Sequence, residues 1–132
     1  MWQRSLVFIK PDGVKRKLIG NIISIYEKKN ILITNIKMEN ADRSKLEKHY
    51  EEHKGKVFYE DLIAYIQEGP ILLMILEGED VIDIIRKING DKNFRVAELG
   101  SIRGQYSLDD TYNLVHASDS MESAEREIKI WF

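Results

Sequence analysis

Short apolar segments alternate along the chain with segments whose apolar residues recur at helical spacing. Residues 5–10 (SLVFIK) are apolar almost throughout and end at a Pro-Asp-Gly turn, a pattern typical of a buried strand. Residues 71–76 (ILLMIL) repeat this pattern. Residues 31–38 are rich in β-branched side chains, and residues 112–116 form a shorter apolar segment. Together these segments predict four strands.

Amphipathic helices are predicted between the strands. Apolar residues recur at spacings of one and two helical turns within residues 19–26, 58–66 and 81–88. A further helix is expected to begin after Asp42 or Ser44, because either side chain can cap a helix N-terminus.

The last third of the chain departs from this regular alternation. Residues 91–110 show neither periodicity, so we expect a long irregular loop there, of the kind that is usually functional or disordered. Asp119 is expected to cap a last helix that ends near Trp131 and Phe132.

The order of elements, β-α-β-α-α-β-α-loop-β-α, predicts the fold class. Two β-α-β halves that share one sheet indicate a ferredoxin-like α/β (α+β) sandwich, with a four-stranded antiparallel sheet. We expect its helices to pack on one face of the sheet. The chain contains no Pro/Gly/Ser-rich linker and no repeat, so residues 1–132 are predicted to form a single domain.

Composition and charge narrow the function classes. The formal net charge of −2 gives the molecule no general attraction to nucleic acid or to an anionic membrane. The absence of cysteine excludes disulfides, thiolate metal ligands and cysteine nucleophiles. No apolar segment is long enough for a signal sequence or a membrane span, and we expect a cytoplasmic protein.

A histidine closes the last apolar segment, in the sequence NLVHASDS at residues 113–120. Small residues follow His116 and leave space over its ring, and the N-terminus of the predicted last helix favours an anion there. A neutral imidazole attacks phosphorus well when its other nitrogen is held by an acceptor, which Glu122, Glu125 or Glu127 can supply. The alternative is a structural histidine, which is the commoner role for a lone histidine beside apolar residues.

Basic residues near the strand ends and in the irregular loop are candidates for phosphate binding. Lys10 ends a strand and can present a point charge from a rigid element, although a lysine at a strand end often only extends into solvent. Arg86, Lys92, Arg95 and Arg103 lie in or beside the loop, and glycines flank Arg103 closely. The planar guanidinium group suits phosphate oxygens, but most surface arginines are simply solvated.

The pair His49 and His53 has the i, i+4 spacing of metal ligands on a helix. However, Tyr50 stands where a zinc protease needs a glutamate, and the sequence shows no third ligand. We therefore interpret the segment EKHYEEHK as a solvated helix face.

These segments together resemble the nucleoside diphosphate kinase family. The similarity runs through VFIKPDGV (7–14), EKHYEEH (47–53), GPILLMILEG (69–78), GSIRGQY (100–106) and NLVHASDSMESAEREIKIWF (113–132). It covers essentially the whole chain, and the segments around Lys10 and His116 are specific to the family. The resemblance implies the ferredoxin-like fold and an enzyme that transfers the γ-phosphate of a nucleoside triphosphate, typically ATP, to a nucleoside diphosphate. It implies a ping-pong mechanism through a phosphohistidine.

The resemblance also implies a role for each matching residue. His116 would be the nucleophile and Glu127 the acceptor that orients its ring, while Lys10 and Tyr50 would lie at the transferring phosphoryl group. The remaining matches would bind nucleotide, with Arg86 and Arg103 at the phosphates, Phe58 stacked on the base and Asn113 at the ribose end. Lys92 stands where the family has a phosphate-contacting threonine, and a lysine there could still contact phosphate. Mg²⁺ would arrive on the nucleotide phosphates without a protein metal site. A homo-oligomer, either a hexamer or a tetramer, is also implied.

The sequence departs from the family pattern at several positions. Lys92 replaces a threonine, Phe94 and Leu99 replace prolines, Gln105 replaces an aspartate and Ala117 replaces a glycine. These changes bear on loop conformation and catalytic efficiency more than on the chemistry. They leave open a nucleotide-sensing regulatory module without turnover. A purely structural oligomerisation domain is a third interpretation, but it does not explain the basic residues and the histidine.

The spacing of Asn113 and His116 imposes a geometric condition. Residues three apart on a regular strand point to opposite faces of the sheet. If both side chains face one pocket, the chain must leave strand geometry before His116, or Asn113 must lie outside the strand.

Overall fold

A computed structural model describes all 132 residues and shows one four-stranded antiparallel sheet in the order β2-β3-β1-β4. The strands are β1 (Trp2–Ile9), β2 (Leu32–Asn40), β3 (Pro70–Glu79) and β4 (Val115–Ala117). The helices are α1 (Pro11–Lys15), α2 (Ile19–Lys28), α3 (Arg43–His49), α4 (Tyr59–Ile66), α5 (Val81–Asn89), α6 (Ile102–Tyr106) and α7 (Met121–Trp131), with a 3₁₀ turn at Glu51–His53. None of these helices combines the length and hydrophobicity needed to cross a membrane.

Helices cover both faces of the sheet, which corrects the expectation of helices on one face. The side chains of β1 alternate between two hydrophobic clusters, with Leu6 and Phe8 in one and Val7 and Ile9 in the other. The first cluster is completed by α3, α4 and α7, and the second by α2, α5 and α6. Because both faces of β1 and β3 are apolar, each face needs its own helical layer.

The sheet register fixes the backbone around the candidate nucleophile. Strand β1 pairs with β3 along its whole length, and its last residues also pair with β4. In that second pairing Phe8 lies opposite His116. A buried central strand therefore sets the position of His116, which is well suited to a side chain that must be aimed accurately.

Most predicted elements are confirmed. The patterned segments 19–26, 58–66 and 81–88 correspond to α2, α4 and α5. Of the two candidate caps for α3, the structure selects Asp42, whose carboxylate accepts a hydrogen bond from the Ser44 amide at 3.4 Å.

Three predictions about the C-terminal third are wrong in detail. The loop expected over 91–110 contains the helix α6, a single turn too short to show a periodic pattern. The strand expected at 112–116 is displaced to β4 because the chain turns before Val115. Asp119 does not cap α7: the hydroxyl of Ser120 accepts the Ser123 amide instead, at 3.0 Å.

Two helical glycines offer a matched test of the packing. A Cβ atom at Gly13 in α1 would lie 2.7 Å from Ile9 Cγ2 and 3.3 Å from the Leu114 carbonyl oxygen, whereas one at Gly20 in α2 would meet nothing within 4 Å. We expect Gly13→Ala to lower the free energy of unfolding by about 1–3 kcal/mol through overpacking. Gly20→Ala should raise it by about 0.5–1 kcal/mol through helix propensity.

Urea denaturation of both variants measures these changes. Equal changes of the same sign in the two variants would contradict the close contact of α1 with the end of β1.

Candidate active site

A cleft of about 1040 Å³ lies beside the C-terminal end of β1 and the short strand β4. The residues to which the family resemblance gave a role all line it: Lys10, Tyr50, Phe58, Arg86, Lys92, Arg103, Asn113, His116 and Glu127. Arg95, the remaining phosphate-binding candidate, does not line the cleft and pairs with Asp110 at 3.3 Å. These residues come from distant parts of the chain. The fold thus brings the candidate nucleophile, the candidate cations and an aromatic ring to one opening.

The ring of His116 is held from two sides. Its Nε2 lies 2.9 Å from Oε1 of Glu127, which also accepts the Ser118 hydroxyl at 2.9 Å. The ring of Phe8 stacks on the imidazole at a centroid distance of 4.8 Å. Because Oε1 is an acceptor for both neighbours, Nε2 carries the ring proton and Nδ1 keeps its lone pair.

The electrostatic environment keeps this imidazole neutral. Burial lowers the pKa of His116 well below its usual value, and the charges of Lys10, Lys92 and Arg103 lower it further. The side chain still has 19% of its surface exposed, so it is accessible from the cleft. Burial also raises the pKa of Glu127, while the electrostatic effect of nearby His49 and the hydrogen bond from Ser118 oppose that rise. A neutral, accessible imidazole is the form that acts as a nucleophile.

His49 is buried, so its interpretation as part of a solvated helix face is wrong. It is 3% exposed, its Nδ1 accepts the Trp131 indole N–H at 3.0 Å, and its ring lies 4.5 Å from that of His116. The sequence did carry a signal for this burial. Leu46, His49 and Tyr50 are at i, i+3 and i+4, which places them on the apolar face of α3.

His49, His116 and Glu127 form a group with the composition of a metal site, since their ligand atoms lie within 4.8 Å of one another. Hydrogen bonds already engage these residues, to Trp131 and between His116 and Glu127. The nearby cations that lower the pKa of His116 also disfavour a metal ion at this group, because the ion would add positive charge. Burial holds the pKa of His49 well below its usual value, so two neutral rings pack together here.

Lys10 is buried at the end of β1 and is held by Asn113. Its Nζ donates to Asn113 Oδ1 at 2.7 Å, and the two residues are 7% and 5% exposed. Burial lowers the pKa of Lys10 to about 7, and the charge of Arg103 contributes to the shift. The pKa of the amine is therefore close to neutral pH, and a bound anion would favour its protonated form.

Arg103 is also buried, and it holds three segments of backbone together. Its Nε, Nη1 and Nη2 atoms donate to the carbonyls of Asn113, Gly90 and Val115 at 3.1, 2.7 and 2.6 Å. A guanidinium group has five N–H donors, so two remain for a ligand. The neighbouring glycine has a structural role, because a Cβ at Gly104 would lie 1.8 Å from the Glu98 carbonyl oxygen.

The other candidate residues lie at the rim of the cleft. Arg86 and Lys92 are exposed, as is Phe58, which keeps 48% of its surface accessible. The ring of His53 contacts that of Phe58 at a centroid distance of 5.3 Å. The rim therefore offers exposed cations and an aromatic surface, while Lys10 and Arg103 are buried and held by hydrogen bonds.

A γ-turn centred on Leu114 satisfies the geometric condition on Asn113 and His116. The Val115 amide donates to the Asn113 carbonyl at 2.9 Å, and Leu114 has a φ of +77°. Asn113 consequently lies outside β4, and its side chain lines the same cleft as that of His116. Both alternatives named from the spacing are confirmed at once.

Comparison with known proteins decides the family. The family model described as "Nucleoside diphosphate kinase" matches residues 3–132. The nucleoside diphosphate kinase of Saccharolobus solfataricus is 49% identical over 130 residues, which are 98% of this chain and 94% of that protein. The enzyme of Clostridium perfringens is 52% identical over 130 residues, covering 98% and 91% of the two chains.

The chain belongs to the nucleoside diphosphate kinase family. A solved structure agrees: the nucleoside diphosphate kinase of Halobacterium salinarum in complex with CDP superposes with a TM-score of 0.96 at 36% identity, covering 100% of this chain and 88% of that one. The chain is thus a nucleoside diphosphate kinase, a phosphotransferase that acts on nucleotides. The expectations about family, fold and enzyme class are confirmed.

The burial of Lys10 predicts how the stability of this nucleoside diphosphate kinase depends on pH. The folded-state pKa is about 7, below the usual value of 10.5, so unfolding takes up a proton between these values. The free energy of unfolding should therefore rise with pH from about 7 to about 9, relative to Lys10→Met, which lacks the group.

Urea denaturation at several pH values, without nucleotide, measures this difference between the two proteins. A constant difference across the range would show that Lys10 titrates normally and is not desolvated.

Proposed function

We propose that this nucleoside diphosphate kinase transfers the γ-phosphate from ATP to a nucleoside diphosphate through a phosphohistidine at His116. The observation that carries the proposal is the hydrogen bond between Nε2 of His116 and Glu127, which leaves Nδ1 free beside the cleft. The Nδ1 lone pair forms a bond to the γ-phosphorus while the bond to the bridging oxygen breaks. The electron pair leaves with the nucleoside diphosphate, and the reverse step phosphorylates the acceptor.

Glu127 acts on the proposed nucleophile in two ways. It fixes the ring orientation and the tautomer, and its charge offsets the positive charge that develops on the imidazole as the bond to phosphorus forms. Ser118 keeps the carboxylate in place by donating to the same oxygen. No proton has to move, because Nε2 keeps its hydrogen throughout.

The cations around His116 balance the charge of the phosphates. Lys10 and Arg103 are fixed on the cleft floor by their hydrogen bonds, while Arg86 and Lys92 extend from the rim. Phosphoryl transfer depends mainly on alignment and on charge at the equatorial oxygens, which suits such an arrangement. Lys92 takes the position of the family's threonine and contacts phosphate through its longer side chain.

The nucleoside occupies the outer part of the cleft. Phe58 stacks on the base, and stacking tolerates any base, so a broad nucleotide range follows. Asn113 binds the ribose end. Tyr50 lies near the phosphoryl group, and burial raises the pKa of its hydroxyl, which therefore remains protonated as a donor. The CDP complex of the Halobacterium salinarum enzyme supports a nucleotide as the ligand.

Magnesium is proposed to enter as part of the substrate, bound to the nucleotide phosphates. The buried group His49, His116 and Glu127 offers mainly imidazole nitrogens, whereas Mg²⁺ prefers oxygen ligands and keeps several waters. Carboxylates at the cleft, such as Asp83 and Asp119, can accept hydrogen bonds from those waters. When bound, the ion neutralises part of the phosphate charge.

The proposal extends to the assembly and location of the protein. Residues 1–132 are proposed to act as a single domain within a homo-oligomer, a hexamer or a tetramer. The edge strand β2 supports an interface, because Leu32, Ile36 and Met38 are 52%, 51% and 50% exposed. The absence of cysteine is consistent with a reducing compartment, and we propose the cytoplasm.

Incubation with γ-labelled ATP and Mg²⁺, without an acceptor, tests the proposed chemistry. The protein should take up label in a form that is acid-labile and alkali-stable, as a phosphoramidate is. His116→Ala should abolish labelling while keeping the fold, and His53→Ala is a matched control that should keep labelling. Addition of a nucleoside diphosphate should release the label as triphosphate.

Two results would overturn this proposal. Nucleotide binding without labelling of the intact protein would favour the sensing module without turnover. Labelling of the His116→Ala variant would assign the chemistry to another residue.

A further inference from the structure

The backbone immediately before His116 is held in an unfavourable conformation. Leu114 has a backbone φ of +77°, which residues other than glycine rarely adopt, and its side chain is fully buried. Turns of this type with a positive φ are strained, and they persist only where the surrounding structure holds them. Some group must therefore stabilise this turn against relaxation to a regular strand.

Asp12 and Lys10 bind both polar backbone groups of Leu114. The carboxylate of Asp12 accepts the Leu114 amide through Oδ2 at 3.2 Å, and the Leu114 carbonyl accepts the Lys10 amide at 2.8 Å. The other carboxylate oxygen of Asp12 accepts the hydroxyl of Tyr65. Tyr65 is 2% exposed, so this second contact fixes the direction of the carboxylate.

We propose that Asp12 is a positioning residue for phosphoryl transfer: by binding the Leu114 amide, it holds the turn that directs both Asn113 and His116 into the cleft. This inference rests on the proposed role of His116. A Pro-Asp-Gly turn does not by itself require its aspartate to bind the Leu114 amide. Asp12 does not line the cleft. It acts only through the backbone of residues 113–115.

The consequence of losing this contact follows from the geometry. Without the carboxylate, the buried Leu114 amide has no acceptor, and the turn keeps only the bonds that Lys10 and Arg103 make to its carbonyls. Relaxation toward a regular strand would turn the Asn113 side chain away from the face that His116 occupies. Lys10 would then lose its partner Asn113, to which it is bound at 2.7 Å.

Single-turnover labelling of Asp12 variants tests the inference. Asp12→Ala should slow labelling of His116 at saturating ATP at least about tenfold. The loss of a buried hydrogen bond changes a rate by about this factor when the bond supports the transition state. The dissociation constant for ADP should rise by a smaller factor, because the displacement of Asn113 leaves Phe58 and Arg86 in place at the rim of the cleft. Asp12→Asn keeps an acceptor oxygen for the Leu114 amide and should restore most of the rate.

A matched control separates this effect from a general loss of loop structure. Asp109 lies in the segment between α6 and β4 that also contains Leu114. It accepts the amides of Thr111 and Tyr112 at 2.7 and 2.8 Å, but it does not line the cleft. Asp109→Ala should leave the labelling rate close to that of the unmodified enzyme.

Each outcome decides the matter. A normal rate in Asp12→Ala, or a rate in Asp12→Asn as low as in Asp12→Ala, would overturn the inference. If Asp12→Ala does not fold, amide hydrogen exchange of Leu114 in the unmodified enzyme replaces it: protection supports the inference, and rapid exchange overturns it. Failure of the unmodified enzyme to become labelled would instead contradict the proposed function.

Discussion

The hydrogen bond between His116 and Glu127, 2.9 Å long, is the interaction on which the proposed chemistry depends. It selects which ring nitrogen carries the proton and therefore which one can attack phosphorus. The fold supplies it at low entropic cost, since β4 fixes the histidine against Phe8 and α7 fixes the carboxylate. A buried acceptor with a second donor, Ser118, has little freedom to reorient.

The groups around His116 and Glu127 carry less positive charge in the absence of an anion than they would with an anion bound. Burial and neighbouring cations keep His116 neutral, and burial also lowers the pKa of Lys10 to about 7. Bound phosphate would reverse that pressure on Lys10, because an opposite charge favours the protonated amine. The same cations disfavour protonation of His116 and, in the proposed function, attract the phosphates of the nucleotide.

The sequence predicted the sheet and most helices because those elements obey simple periodicities. The continuous apolar segments predicted β1 and β3. Such segments also indicate burial on both faces of the sheet, and the expectation of a single helical layer did not take this into account. The helix α6 and the shift of β4 escaped prediction because short elements are set by tertiary contacts, such as the three carbonyls that Arg103 binds.

The candidate site was recognised from the sequence as far as single residues carry chemistry or match the family. The condition on Asn113 and His116 was predicted from strand geometry alone and is met by the turn at Leu114. The burial of His49 was missed because its charged neighbours suggested a solvated face. Two contacts could not be predicted, because each joins residues about a hundred positions apart: the Leu6 amide donates to the Ser118 hydroxyl, and the Leu114 amide donates to Asp12.

The most direct test of the account is nuclear magnetic resonance of the phosphorylated enzyme, made with ¹⁵N-labelled histidine and ATP. We expect the phosphorus to couple to Nδ1 of His116, while Nε2 keeps its proton and its hydrogen bond to Glu127. Phosphorus on Nε2, or on any residue other than His116, would contradict the account.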